Sequence, residues 1–219
     1  MSLFDIIGPV MVGPSSSHTA GAARLGLIAG KLLGEPVRRA EITLFESFAA
    51  TGNGHGTGKA IVGGLLGMQP DDERLPASFE LAVKAGLDYQ INSSTEHCDH
   101  SNTAELTLYS GDHKVNVTGI SIGGGSIEIT RINGMEVSIS ADYHTLVVFS
   151  IDRFGTVAGI AKRLTEEYIN IAFIRLSRQS EGKAVVMVIE TDQEISGSLL
   201  TDLKNLPNVN DIIYLCPVR

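Results

Sequence analysis

The chain has 219 residues, with 17 Lys+Arg against 25 Asp+Glu and a formal net charge of −8. That balance disfavours nucleic acid and anionic membrane as partners, because both require clustered positive charge. Hydrophobic residues at 43% and charged residues at 19% supply packed cores for one large or two small domains, which excludes a disordered chain.

The opening MSLFDIIGPVMVG has neither a basic leader nor a small-residue cleavage site, and no apolar run reaches the roughly 18 to 20 residues of a spanning helix. A soluble cytoplasmic protein is expected. Next, GPSSSHTAG sets Pro14, Ser15, Ser16, Ser17, His18 and Thr19 before a helix predicted over Thr19 to Leu33, with Ala22, Leu25, Ala29 and Leu32 on one face. One hydroxyl suffices to cap a helix; three serines followed by His and Thr exceed that need, and the positive helix end with its free N–H groups suits a carboxylate or phosphate. The segment reads either as such a cradle or as a cap in a serine-rich turn. Gly21, Gly26 and Gly30 allow another backbone to come close.

In TGNGHGTGKA, residues 51–60, His55 stands among Gly52, Gly54, Gly56 and Gly58. Asn53 and Ala60 break the P-loop spacing, and Thr57 or Lys59 breaks a dinucleotide GxGxxG. What remains is a histidine on a backbone that a ligand approaches closely, or else a surface glycine loop with a solvated histidine and an exposed Lys59. Ala60 to Gly67 reads as a short, very apolar helix. Residues 97–103, HCDHSNT, hold four potential metal ligands in His97, Cys98, Asp99 and His100. Neighbouring side chains diverge and no second ligand pair stands at a recognised spacing, so polar loop residues are favoured over a metal site, with Asn102 and Thr103 available to a small polar ligand. Two hairpins follow: AELTLYS with KVNVTGI across Gly111-Asp112, and SIEITRI with MEVSIS across Asn133-Gly134, a type I′ signal. The two cysteines, Cys98 and Cys216, allow at most one disulfide and cannot supply the four thiolates of an iron–sulfur cluster.

Past a connection at Ala141 to Thr145 the pattern becomes a regular alternation. LVVFSI (146–151) is a strand, and Thr156 to Tyr168 is a helix with Val157, Ile160, Ala161 and Leu164 on one face. IAFIRLS (171–177) and AVVMVIE (184–190) are strands joined through Gln179, Ser180, Glu181 and Gly182. A short helix from Ser198 to Leu206 is stopped by Pro207, and DIIYL (211–215) is the last strand. The order βαββαβ predicts a ferredoxin-like unit. The turn Asp152-Arg153-Phe154-Gly155 reads as a plain βα turn, or as a site in which Asp152 holds an α-amino group. The expected fold class is α+β, with domains over residues 1–142 and 146–219.

Together, GPSSSHTAG, TGNGHGTGKAIVGGL and the SNT of residues 101–103 resemble the β chain of the bacterial iron–sulfur-dependent L-serine dehydratases (L-serine ammonia-lyases), with Ser101 in place of the family's proline. The resemblance covers essentially the whole chain, and residues 146–219 are similar to an ACT domain, a regulatory module that pairs across subunits and binds amino acids. It implies a serine dehydratase β-chain domain, like an allosteric substrate-binding domain, followed by the ACT unit. It further implies that L-serine becomes pyruvate and ammonia without pyridoxal phosphate, on a [4Fe–4S] cluster with one iron acting as Lewis acid on the hydroxyl. With the cluster ligands missing here, they belong to a separate α chain, and this chain is inert alone. On that resemblance Ser15, Ser16, Ser17 and Thr19 hold the substrate carboxylate, His18 and His55 face the substrate with one of them the base, and Asn102 and Thr103 complete the substrate site. No metal ligand is assigned to this chain. Asp152, Phe154, Gly155 and Asn170 form by analogy an effector site, with L-serine a candidate effector as well as the substrate and two ACT units pairing toward an α2β2 assembly. The N-terminal region is also similar to the allosteric substrate-binding domain of some phosphoglycerate dehydrogenases, so a non-catalytic serine-sensing subunit is the competing expectation. A free-standing ACT-type sensor is a third.

Overall fold

The computed structural model describes residues 10–178, 180 and 182–218; Gln179 and Glu181 of the expected hairpin connection, and most of the opening segment, lie outside them. The chain forms two compact units, Met1–Gly134 and Met135–Arg219.

In the first unit, a five-strand run in the order β2-β1-β3-β4-β5 is built from β1 (Arg39–Leu44), β2 (Asp88–Ser93), β3 (Thr103–Ser110), β4 (His113–Gly123) and β5 (Ser126–Ile132). β1 pairs parallel with β2 and antiparallel with β3, and the β3–β4 hairpin turns at Gly111 as expected. Alternation in these strands sends Ala40, Ile42, Ala104, Leu106 and Leu108 to the core. Against that face lies α1 (Ala22–Leu33), with Leu25, Ile28 and Leu32 buried. Its other side meets α3 (Thr57–Leu65), which leaves α1 buried almost all round. The two helices touch backbone to backbone. A Cβ on Gly26 would lie 2.1 Å from the Ile61 carbonyl oxygen, and one on Gly64 would lie 2.1 Å from that of Ala23.

Two elements here differ from the sequence reading. The helix expected from Thr19 begins earlier: Ser15 caps it, and Ser16–Gly21 form a π-helical turn in which the Thr19 and Ala20 N–H groups both reach the Ser15 carbonyl, at 2.9 and 3.3 Å. The glycine-rich stretch is not a loop. Glu46–His55 is a helix, α2, broken only at Gly56, whose φ of 68° starts α3 three residues ahead of the apolar run. Glycines at 52 and 54 disfavour helix by about 1 kcal/mol each, but Phe48 is wholly buried and Gly52 packs against Leu44 and Thr57, so burial overrides propensity. A further helix, α4 (Ser78–Ala85), leads into β2.

The second unit opens with β6 (Met135–Ile139), after a turn in which Asn133 and Gly134 hold φ of 50° and 78°, as type I′ requires. Its four-stranded antiparallel sheet has the order β10-β7-β9-β8, from β7 (His144–Ile151), β8 (Ile171–Arg178), β9 (Ala184–Thr191) and β10 (Val209–Leu215). The helices α5 (Thr156–Glu166) and α6 (Gly197–Lys204) place Ile160, Leu164, Leu199 and Leu203 in one cluster with Leu146, Val148, Met187, Ile189 and Ile212. This is the expected βαββαβ unit, and the fold as a whole is α+β. Among the described residues no helix is long and apolar enough to cross a membrane.

Candidate functional site

The π-helical turn and the C-terminal end of α2 bring the two singled-out histidines together. Their ring centroids are 4.9 Å apart at 38°, and His18 also meets the edge of Phe48 at 5.3 Å. His18 Nε2 lies 3.1 Å from Ser47 Oγ, and its Nδ1 lies 3.4 Å from Ser15 Oγ. A hydroxyl donates or accepts, so either tautomer of His18 is accommodated. Burial first, and the neighbouring His55 second, hold the His18 imidazole below its usual pKa of 6.5, with hydrogen bonding to Ser47 opposing. The result is a neutral imidazole with basic character at neutral pH. Ser15 Oγ accepts from the His18 N–H at 3.1 Å, the expected cap. Thr19 is buried and its Oγ1 donates to the His55 carbonyl at 3.0 Å, tying the turn to the end of α2. That bond uses the one proton of the hydroxyl. His55 Nδ1, Thr57 Oγ1 and Asn102 Oδ1 are buried atoms without a hydrogen-bond partner among the described residues.

Residues 97–103 buttress this site. Glu46, at a left-handed φ of 47°, accepts from His97 Nδ1 at 2.8 Å and from the Cys98 N–H at 3.3 Å. The Ser47 and Phe45 N–H groups donate to the carbonyls of Ser101 and Thr103, which stitches the start of α2 to the loop. Thr103 Oγ1 donates to the His100 carbonyl at 2.6 Å, while Asn102 Nδ2 donates to the Ser121 carbonyl at 3.3 Å. Ser121 Oγ in turn donates to the Ser17 carbonyl at 3.0 Å, so β4 supports the serine turn. Glu46, Ser47, Phe48 and Ser121 lie in no sequence motif; only the hydroxyl-and-acid composition of LFESFAATG points to the first three, and nothing local points to Ser121.

A cavity of about 310 Å³ is lined by Gly13, Pro14, Thr19, Gly54, His55 and Lys59, among others. His18 stands beside this wall, facing Ser47 and Phe48, without forming part of it. A second cavity, about 420 Å³, shares Gly56 and Lys59 with the first and has Phe79 and Ile91 in its wall. Of the singled-out residues Thr19 and His55 line the 310 Å³ space, whereas Ser15, Ser16, Ser17, His18, Asn102 and Thr103 do not; an imidazole with an unpartnered buried nitrogen at the wall of a small-molecule-sized space suits binding a small polar ligand.

In the second unit the four residues expected to bind an effector do not form one cluster within a chain. Asp152, Phe154 and Gly155 stand just past the end of β7, where the Asp152 carboxylate accepts from Arg178 at 3.1 Å and Phe154 is fully exposed. Asn170 precedes β8 and donates to Asp192 at 2.6 Å. β7 and β8 both run antiparallel to β9, hence parallel to each other: Ile151 aligns with Ala184 and Arg178 with Val185, whereas His144 and Ile171 both align with Thr191. The two groups are therefore separated by roughly 23 Å of strand.

The described residues do not fit a four-iron cluster. They hold no group of three or more His, Cys, Asp or Glu able to bind a metal, and the free cysteines, Cys98 and Cys216, fall in different units. Burial and then Glu46 push the Cys98 thiol up, away from the thiolate that ligates iron.

Residues 2–131 match the family model described as serine dehydratase beta chain, and residues 144–208 match that of the ACT domain. The chain is 44% identical over 208 residues to the probable L-serine dehydratase, beta chain, of Bacillus subtilis, covering 95% of this chain and 94% of that one. It is 37% identical over 201 residues to the L-serine dehydratase, beta chain, of Peptoniphilus asaccharolyticus, covering 90% of each. A D-3-phosphoglycerate dehydrogenase of Methanocaldococcus jannaschii is 27% identical over 125 residues, 57% of this chain and 24% of that one.

Proposed function

Since the chain belongs to the serine dehydratase beta chain family, we propose that it is the β subunit of a two-chain L-serine dehydratase that converts L-serine to pyruvate and ammonia. The [4Fe–4S] cluster and its ligands are assigned to a separate α chain. The observation that carries the reading for this chain's own residues is the pairing of His18 with His55 beside the capped serine turn.

Ser15, Ser16 and Ser17 hold the substrate carboxylate at the positive end of the turn, with Thr19 fixing that turn against His55 through its bond to the carbonyl. One of His18 and His55 takes the Cα proton. A depressed pKa keeps His18 free to accept it, and in a site closed by the α chain a neutral base contributes about 10² to 10⁴ in rate. Asn102, through its unpartnered Oδ1, accepts from the substrate ammonium, and Thr103 holds the loop that carries it. We divide the chain functionally into residues 1–142, which build the substrate wall, and 146–219, the ACT regulatory unit. Asp152, Phe154, Gly155 and Asn170 bind an effector, with L-serine the candidate. Standing at opposite sheet ends, they make one site when two ACT units pair and each supplies one end.

The test is reconstitution with a cluster-loaded α chain. His18→Ala and His55→Ala are expected to lose most of kcat while the subunits still associate; normal turnover in both refutes the assignment. The similarity to phosphoglycerate dehydrogenase favours a second reading, in which this chain senses serine without chemistry. Pyruvate production by the α chain alone would establish that reading instead.

A further inference from the structure

Glycine inside a helix is disfavoured relative to alanine and persists where a backbone conformation or a close neighbour demands it. Most described glycines of this chain meet one of those demands, while Gly30, Gly52 and Gly159 have only ordinary contacts at 3.4–3.9 Å. Gly56 has a left-handed φ, Gly21 would put a Cβ 2.1 Å from Ser121 Oγ, Gly58 one 2.8 Å from Ile91, and Gly63 one 2.4 Å from Leu75. Among the described residues, Gly54 and Gly197 alone have neither a positive φ nor an atom within 4 Å of an added Cβ outside their chain neighbours and their own helix backbone. Gly197, the first residue of α6, and Gly54 are both exposed, but Gly197 lines neither cavity. Gly54 lies in the last turn of α2 and lines the 310 Å³ cavity together with Thr19 and His55. The adjacent His55 has a buried Nδ1 without a hydrogen-bond partner among the described residues, and a native structure seldom leaves such an atom unsatisfied. An open position without a side chain and a polar atom without a partner among the described residues thus meet at one wall of the cavity.

We propose that Gly54 is a specificity-determining residue whose missing side chain leaves room for the amino-acid substrate against His55. The inference rests on the functional reading above and deepens it. A methyl at position 54 fills part of the space taken by the ligand, and one extra carbon in a fitted pocket changes discrimination by about 10- to 200-fold. The fold has no use for the glycine, so its replacement trades function for stability.

The experiment compares Gly54→Ala, Gly197→Ala and the unsubstituted chain, each in complex with the cluster-loaded α chain. Thermal melting with and without L-serine is measured beside kcat/KM for L-serine. Expected for Gly54→Ala is a Tm raised by about 1–4 °C, a serine-induced Tm shift reduced to the part that serine at the ACT unit retains, and kcat/KM lowered at least ~10-fold, chiefly through KM. Gly197→Ala, at an exposed glycine that lines neither cavity, keeps the serine-induced shift and the turnover. An unchanged serine-induced shift and unchanged kcat/KM in Gly54→Ala overturn the inference, and so does a lowered Tm, which would reveal a role in the fold. An unsubstituted complex that shows the shift but forms no pyruvate overturns the catalytic reading and leaves the inference standing. A complex showing neither overturns both.

Discussion

Replacing Gly64 by alanine sets a methyl carbon 2.1 Å from the Ala23 carbonyl oxygen and 2.6 Å from the Leu27 nitrogen, both main-chain atoms that no rotamer change removes. Ordinary non-bonded contact needs roughly 3.5 Å, so α1 and α3 must part by about 1 Å. Overpacking of this kind destabilises by about 1–3 kcal/mol, against a gain of up to ~1 kcal/mol in helix propensity, for a net loss of roughly 1–2 kcal/mol. For a chain of this size that lowers Tm by about 2–8 °C. The site feels the same displacement, because α1 continues the turn that carries His18 and Thr19 while α3 follows directly on His55 and Gly56. The 3.0 Å bond from Thr19 to the His55 carbonyl spans the gap that opens. Misplacing catalytic groups by ~1 Å reduces kcat/KM by about 10²-fold. Calorimetry of this chain and steady-state kinetics of the reconstituted complex measure the two effects. A Tm that rises, as helix propensity alone dictates, refutes the argument from backbone contact. Gly26→Ala opens the same crossing from the other side, its Cβ 2.1 Å from the Ile61 oxygen, so the double variant should lose less stability than the two single losses combined.

Ser47→Ala removes the hydroxyl 3.1 Å from His18 Nε2 and is expected to lower kcat about 5- to 10-fold with KM little changed, with recovery in Ser47→Thr; an unaltered kcat would show that the ring needs no such partner. Because burial and His55 depress the His18 pKa, the acid limb of kcat/KM should fall below pH 6.5 if His18 is the base. The linked stability follows the same sign: the unfolded chain takes up the proton first, so the contribution of neutral His18 is complete above pH 6.5 and is lost as pH falls through the lower folded value. His55→Gln removes one depressing cause, and NMR titration of the His18 ring in this chain should show its pKa rise; no movement would mean the two imidazoles do not sense each other.

The ACT unit was legible because its information is local. Apolar residues such as Val148, Ile160, Leu164 and Ile189 follow helix or strand period within each segment, and every predicted element appears with ends displaced by a few residues. Topology even contained an unread consequence: in a βαββαβ order the first and second strands run parallel, which already separates Asp152 from Asn170. In the first unit the parallel β1–β2 pair joins residues about fifty positions apart and leaves no local signature, and both strands went unpredicted. Glycine content suggested a loop at residues 51–60, where the buried Phe48 and the tight seat of Gly52 enforce a helix.

Residue types and spacing alone determined that this chain holds a hydroxyl-rich helix start, a histidine among glycines and too few thiols for a cluster. Those are properties of short stretches, which periodicity, composition and capping rules address directly. Only the tertiary structure decided that the two histidines meet, that Ser47 and Ser121 stand behind the site from 29 and 104 positions away, and that Thr19 spends its proton on His55. Such contacts depend on how helices cross and strands pair across long loops, and a Cβ-free crossing at Gly26 and Gly64 is what lets α1 and α3 come close enough to make them.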